Sequence, residues 1–551
     1  MPGMRESQLL RLSALKREVT SWLQHWMDLS EYILPRRGRF FTTDRNKGDV
    51  RNKKIIDNTG TLAARALASG MMSGVTSPAR PWFRLTLPDP DMADDPGVKV
   101  WLDDVQRLLL KIFASSNLYN GLHSLYDELG TFGTSCMLLL EDYEDVVRAH
   151  LLPIGSYYLG TDDRGEVDTV YREFQMQVGQ VVSQFTLAKC SPEIQALYAS
   201  GDQDSWIDVI HCIERNKNQK RNKQSADGMP WLSCYFEKGS GNEQYLSVKG
   251  FHEKPFMAPR WAVTGNDIYG RSPGMDALGD VKQLQDEQKH KATAIAKKVS
   301  PPMVGPGSLA KSPSNTLPGG VTYVDALQGQ QGFTPAYQVN LNINELSQDI
   351  QEVQHRISRA FYEDLFLMLA NSDRRQITAR EVEERHEEKL LMLGPVLERL
   401  QDELLDPLID RVFAMALRAD ILPEVPPQLE GIEMRVEYIS IMAQAQKMIG
   451  TASVERLAGF AGNLAAANEE VLDKINFDEL IDAYSDMLGT PGKLVRDEDA
   501  VQAIRDGRAQ QAQMAQQAEM MGQGAQAAKV MSETDTSRDD TLLNQVMGGA
   551  F

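Results

Sequence analysis

Two long helical stripes, separated by a stretch dense in proline and glycine, limit this chain more than any other feature. Residues 276–299 place Leu278, Val281, Leu284, Ala292, Ile295 and Val299 along one narrow line. Residues 343–368 repeat the pattern with Ile343, Leu346, Ile350, Val353, Ile357 and Ala360 at heptad spacing. The next heptad position is Asp364, so the stripe slips to Leu365 and Met368 at its end. A stripe this narrow suits packing of helix on helix along a seam. At a rise of ~1.5 Å per residue, helices of this size run to about 37 Å. Between them, residues 301–340 carry many Pro and Gly and brief strand-like runs such as Gly320–Val324. Long helix, irregular knob, long helix reads as a helical hairpin with a projecting tip. The plainer alternative is an antiparallel pair joined by a long disordered loop.

A third long helix opens at Thr378, where T-A-R-E is a capping-box pattern: Thr378 accepts from an early helix N–H and Glu381 reaches back. Leu390, Leu393, Leu397, Leu400, Leu404, Leu408 and Val412 form its apolar face. Gly394-Pro395 and Pro407 should bend it, because proline removes a helix hydrogen bond. After Pro427 the pattern predicts further helix over roughly 437–490. The Gln/Ala/Met-biased tail from about 500 onward reads as loose helix or disorder.

Upstream, residues 5–34 carry Leu12, Leu15, Val19, Trp22, Leu23, Trp26 and Met27 at helical spacing. Eight Lys/Arg follow between Arg36 and Lys54, read first as a solvated loop and second as a partner or nucleic-acid contact. Helices are expected around 55–75, 98–114 and 120–131. The proline-punctuated segment 77–96 between them is unfit for a helix interior, and its aspartates (Asp89, Asp91, Asp94, Asp95) read as exposed. From Cys136 to about Val263 short runs rich in β-branched and aromatic residues predict a small antiparallel sheet or barrel, with a helical insertion near 177–200.

Chemistry is hard to find. The nearest approach to a phosphate-cradling loop, Met487 to Leu494, has Met where the first glycine belongs and Leu in place of Ser/Thr. His252-Glu253 and His386-Glu387 each lack the second histidine of a zinc site. His211 and Cys212 are adjacent on an expected strand, so their side chains face opposite ways. The carboxylates of helix 378–389 suit a solvated or inter-subunit face better than acid/base work. No cofactor, metal or catalytic set is expected, which argues against a nuclease or NTPase. The four cysteines (Cys136, Cys190, Cys212, Cys234) have no C-x-x-C spacing and read as reduced structural thiols. No apolar run is long enough to span a bilayer and the N-terminus lacks a signal core, so no membrane partner is expected. With 551 residues, two to four compact units are expected. A net charge of −19 excludes a protein that wraps DNA as a general polycation. It does not exclude a channel wall over which DNA slides.

Four strings in order resemble the head-to-tail connector (portal) family of short-tailed phages: YILPRRGRF at 32–40, SGVTSPARPWFRL at 73–85, YGRSPGMDALGDVKQLQ at 269–285, and the residues RAFYEDLF and ITAREVEERHEEKLLMLGPVLERLQDELLDPLIDRVF within 359–413. The resemblance implies an α+β, predominantly α-helical subunit of a ring, usually of twelve copies, at one capsid vertex. It implies a wing over 1–272, stem helices over 273–300 and 341–366, and a clip over 301–340. A tunnel loop over 367–377, a long wing helix over 378–420, a helical crown over 421–499 and a tail over 500–551 complete the subunit. The implied partners are the packaging terminase ATPase, a tail adaptor, the major capsid and scaffolding proteins, and double-stranded DNA passing through without sequence preference. An ejected internal protein or a scaffold is the alternative structural role.

Within that frame, stripes too narrow to be buried in one chain should be covered by neighbours. Val281, Leu284, Ile295, Leu346, Ile350, Val353 and Ile357 are then the expected ring seam. A closed ring satisfies such contacts without open-ended growth. On the first stem helix, Asp276, Asp280, Asp286 and Glu287 precede Lys289, Lys291, Lys297 and Lys298. The lysines suit the helix macrodipole, and in a ring they would also stack into basic bands. Asn371, Ser372, Asp373, Arg374 and Arg375 lie between two helices and join neither core. They read as a DNA-facing loop, or as arginines pairing with Asp373 or Glu381 of the same or the next copy.

Overall fold

A computed structural model describes residues 4–43, 48–89, 95–220, 225–239, 244–304, 334–335, 343–366, 392–429, 434–440, 456–465, 474–488 and 498–533, with a few single positions between. The chain divides into two compact units, Met1–Gln446 and Lys447–Phe551.

In the first unit, helices α1 (Met4–Tyr32), α2 (Thr59–Gly74), α3 (Pro96–Ser115) and α4 (Leu118–Phe132) fall where periodicity predicts them. The aspartate cluster contributes one structural residue. Asp95 caps α3, its carboxylate accepting from the N–H groups of Gly97 and Val98, with Pro96 pre-set in the first turn. Gly133 ends α4 at φ 80°, where a Cβ would lie 2.2 Å from the Gly270 carbonyl. Only glycine allows that approach.

The expected β region is two antiparallel sheets. One is ordered β3-β2-β9, from β2 (Cys136–Asp142), β3 (Val146–Leu152) and β9 (Phe256–Met257). The other is a meander, β4 (Tyr157–Thr161), β5 (Val167–Gln177), β6 (Trp206–Arg215), β7 (Trp231–Glu237) and β8 (Ser247–Phe251). The insertion is helical, α5 (Val178–Phe185) and α6 (Pro192–Ala199). It builds its own small core of Val178, Val181, Phe185, Cys190 and Ile194 against Val209. One face of α1 covers the five-stranded sheet, Leu12 and Leu15 packing with Tyr171, Ile210, Cys212 and Phe236. Further along, Trp26 and Leu29 enter the main core.

Two expectations change here. The proline-rich segment holds a strand, β1 (Phe83–Thr86), which pairs antiparallel with β12 (Arg435–Tyr438). Residues 435–438, read as the edge of a helical region, alternate polar and apolar side chains, a period-two pattern that a distant partner strand converts into a ladder. Trp101 also donates to the Pro423 carbonyl at 3.2 Å, and Leu429 and Met442 are buried in the main core. Residues 421–429 and 434–440 thus pack with the first unit.

The third long helix is described from residue 392. Helical residues 392–400 run into a π turn, Gln401–Leu405, and then α9 (Asp406–Arg418). Pro407 lacks an N–H and its ring crowds the carbonyl four residues back, and the wider turn just upstream absorbs both. Glu403 in that turn receives the buried Arg260, at 2.6 Å from Nη2 and 3.1 Å from Nε. Arg411, fully buried in α9, donates from Nε to the Leu139 carbonyl of β2 at 2.9 Å. The capping box at Thr378 lies outside the described residues.

In the second unit, α10 (Phe477–Leu488) and the 36-residue α11 (Glu498–Glu533) are joined by Arg505, 2.6 and 2.7 Å from the Asp478 carboxylate. The Gln/Ala/Met tail is helix as far as Glu533, in keeping with the high helix propensity of Ala, Gln and Met.

Candidate functional site

The helical hairpin is α7 (Pro273–Val299) and α8 (Ile343–Ala360). Ser272 caps α7, accepting from the Met275 N–H at 3.1 Å, and Pro273 takes the first position. The α8 stripe breaks where the heptads slip: Tyr362 sits at φ 56°, a short helical turn resumes over 363–366, and Leu365 is buried.

The expected seam is corrected by burial. Val281, Leu284, Ile350, Val353 and Ile357 are all at most 3 % exposed within the single chain. The reason is a third helix. The small-residue face of α2 (Gly60, Ala63, Ala64, Ala68, Gly70) lets the hairpin approach closely. A Cβ on Gly60 would meet Val281 at 3.0 Å, and one on Gly70 would overlap Phe366. These five residues therefore need no neighbour to cover them. Leu346 is half-buried, whereas Ile295 (41 % exposed) and Val299 (77 %) remain uncovered.

A polar clamp marks where burial ends. The Gln285 Oε1 accepts from the N–H groups of Ile56 (2.6 Å) and Asp57 (2.8 Å), and its Nε2 donates to the Asp57 carbonyl. The Asp57 carboxylate accepts from Gln288 of α7 and Gln354 of α8, each at 2.9 Å, and from the Thr59 N–H. Burial alone would push this carboxyl up, but the hydrogen bonds from Thr59, Gln354 and Gln288 outweigh it and hold its pKa below the ordinary aspartate value. Arg356 of α8 reaches Asp280 of α7 at 3.0 Å, and Lys282 reaches Asp28 of α1 at 2.6 Å. Beyond the clamp, Lys289, Lys297 and Lys298 are exposed and Lys291 half-buried. The projecting segment closes at its base by the pairing of β10 (Met303–Val304) with β11 (Thr334–Pro335). Residues 305–333 and 336–340, and Asn371, Ser372, Asp373, Arg374 and Arg375, lie outside the described residues.

One feature was missed in the sequence: the start of the basic run, Arg36, Arg37 and Arg39, lines a cleft. A cavity of about 370 Å³ is bordered by Arg36, Arg37, Arg39, Asn117, Asn120, Ser124 and Glu128. A second, of about 590 Å³, shares Arg36 and Arg37 and adds Arg65, His123 and Asp127. Arg37 donates to the Ser124 hydroxyl at 3.1 Å and lies 3.6 Å from Asp127. Burial raises the Asp127 carboxyl against the pull of Arg37, His123 and Arg65. Burial also pushes Glu128 up to about 8, so it is largely neutral at pH 7. The density of arginines in 36–39 was the available signal, but only the fold supplies the wall.

Nothing described here resembles a reaction centre. His211 is buried, with Arg172 Nε 3.0 Å from its Nδ1, the Ser233 hydroxyl 2.9 Å from its Nε2, and the Tyr235 ring stacked at 3.8 Å. Burial lowers its pKa well below the usual value. Cys212 faces the other way, into the core under α1, as strand alternation requires. All four cysteines are buried free thiols. Among the described residues no group of His, Cys, Asp and Glu could hold a metal ion, and no helix is long and apolar enough to cross a membrane.

The sequence of a head-to-tail connecting protein of bacteriophages, taken as a family, matches residues 5–495. This chain belongs to that family. The connector is 49 % identical to the portal protein of Salmonella phage epsilon15 over 547 residues, covering 99 % of this chain and 98 % of that protein. It is 48 % identical over 540 residues to a probable portal protein of Bordetella phage BPP-1, covering 98 % and 97 %. Among solved structures, the neck of an empty GTA particle computed with C6 symmetry aligns with 83 % of the connector and 96 % of that chain. That alignment, at 12 % identity and a TM-score of 0.35, is too loose to argue from. The family expected from the four strings is thus the family found, and the α+β, mainly helical class holds for the connector.

Proposed function

We propose that this connector is the portal of its phage: a closed ring of copies at one capsid vertex, through which double-stranded DNA enters during packaging and leaves on ejection. The observation that carries the reading is near-full-length identity to two portal proteins, 49 % and 48 %. The role is structural rather than enzymatic and needs no cofactor. The ring is expected to hold twelve copies and to assemble in the host cytoplasm with scaffolding and capsid proteins. The segment 301–340 serves as the clip, docking the packaging ATPase and later the tail adaptor. It projects from a rigid hairpin, and tips on rigid scaffolds commonly carry binding.

In this reading the exposed distal half of α7 faces a neighbour and the lumen. Lys289, Lys291, Lys297 and Lys298 then form basic bands in an otherwise acidic molecule, touching phosphate without holding it. The five buried stripe residues anchor the hairpin in the core of its own chain. The loop Asn371, Ser372, Asp373, Arg374, Arg375 faces DNA, because arginines repeated around one axis repel unless an anion lies between them. The crown begins at Lys447.

Negative-stain images of the purified chain test the reading. Rings with a central hole are expected, and a field of monomers would overturn it.

A further inference from the structure

A closed ring of one chain needs two different patches on every copy, each complementary to the other. This requirement rests on the portal reading above. The described surface offers one such pair. The β2–β3 hairpin ends in Glu141, Asp142, Tyr143, Glu144 and Asp145, and the Tyr143 ring is fully exposed at 110 %. An aromatic side chain so placed buries nothing in its own chain. The tip is also stiff. The Asp142 carboxylate accepts from the N–H groups of Glu144 (2.8 Å) and Asp145 (3.2 Å), and Val146 takes φ 68°. Arg418 and Arg148 lie 2.8 and 3.5 Å from Glu141 and Asp142, and Glu144 and Asp145 keep the tip acidic.

The opposite shape and charge occur in the cleft of about 370 Å³ under Arg36, Arg37 and Arg39. Asn117, Asn120 and Ser124 add polar groups to one wall, and Leu151 and Pro153 add apolar surface. The carboxylate in the lining, Glu128, is buried and mostly neutral at pH 7, and Asp127 just behind the wall lies 3.6 Å from Arg37 alone of the three arginines. A tyrosine ring against guanidinium planes, with carboxylates at its rim, is a favourable combination of stacking and charge. Tip and cleft cannot meet within one copy. The cleft is lined from Ala149 to Pro153, so its near edge is three residues, about 10 Å at ~3.4 Å per residue, from Val146, and a strand held in its sheet cannot fold the tip back onto it.

We propose that the Tyr143 tip of one copy seats in the Arg36–Arg39 cleft of the next copy around the ring. A pre-ordered tip loses little freedom on docking, which favours assembly.

The full-length chain tests this with Tyr143→Cys and Asn120→Cys together and a short bismaleimide. A ladder of covalent multiples is expected, absent from either single variant, because the four native thiols are buried. In a second arm, Glu144→Lys with Asp145→Lys, and separately Arg36→Glu with Arg39→Glu, should raise the concentration for half-assembly at least tenfold. Circular dichroism should stay unchanged, and all four substitutions in one chain should recover assembly. Wild-type rings without a ladder, single-sided variants that assemble normally, or swapped charges without recovery would each overturn the proposal. So would normal rings from the cleft variant with loss of DNA binding alone, since the cleft is then a phosphate site. Wild-type protein that stays monomeric would overturn the ring reading itself, and this proposal with it.

Discussion

The two halves of α7 carry the same kind of apolar stripe and meet different surroundings. As far as Gln285, the stripe is closed over by α2, α8 and α4, and Val281 and Leu284 are inaccessible. Past the Asp57 clamp the same stripe continues through Ile295 and Val299 in the open, flanked by lysines. A heptad pattern says that a helix has a seam. It does not say whether the partner lies in the same chain. Here a third helix with a face of glycine and alanine answers that question for one half and leaves the other.

The largest effect should come from breaking the closed half. Val353→Asp puts a carboxylate into the apolar core, at a cost of several kcal/mol, roughly 4 or more. The expected outcome is an unfolded or insoluble chain on expression, not a soluble monomer. A folded monomer would return Val353 to the ring seam.

Next in size is a pH effect close by. Glu128 has a folded pKa near 8 against an ordinary 4.5. The native state therefore holds a proton that the unfolded chain has released, and stability falls as pH rises from about 4.5 to about 8, then levels. Glu128→Gln should remove that slope and raise stability at pH 8 by roughly 4 kcal/mol, read from urea unfolding across pH.

Loosening the clamp should do less. Asp57→Ala leaves Gln288, Gln354 and the Thr59 N–H without their acceptor and should cost about 1–3 kcal/mol. Because the folded Asp57 pKa is depressed, its contribution is present above the unfolded value of 3.8. It disappears as pH falls through the lower folded value. Wild type should thus lose part of its advantage over Asp57→Ala in acid, as seen by paired melts. A difference that grows in acid would contradict the sign.

The open half should give the smallest change in folding. Ile295→Asp with Val299→Asp should leave the melting curve within ~0.5 kcal/mol of wild type, as exposed substitutions do. Ring formation should weaken, visible by light scattering. In the same spirit, Arg374→Ala with Arg375→Ala should leave rings intact and impair DNA translocation or retention.

Much of the helical frame was readable because its signals are local. Heptads mark α7 and α8, and even the slip at Asp364 coincides with the break at Tyr362. What could not be read depends on distant partners. Residues 83–86 and 435–438 become strands only through each other. Asp95 looked like one of several exposed aspartates, and its capping role depends on where α3 starts. Arg260 and Arg411 look like surface cations until Glu403 and the Leu139 carbonyl meet them inside. Pro407 announced a bend, but not that a π turn would absorb it. The basic cleft was legible as composition and illegible as a concave site, because its wall comes from α4 and β3.

The open end of the hairpin should be covered by the next copy in a closed ring. Native mass spectrometry of the purified wild-type chain tests it most directly. One dominant species at a single integer multiple of the subunit mass is expected, unchanged on further concentration. Monomer alone, or a mass distribution that keeps growing with concentration as an open filament does, would contradict it.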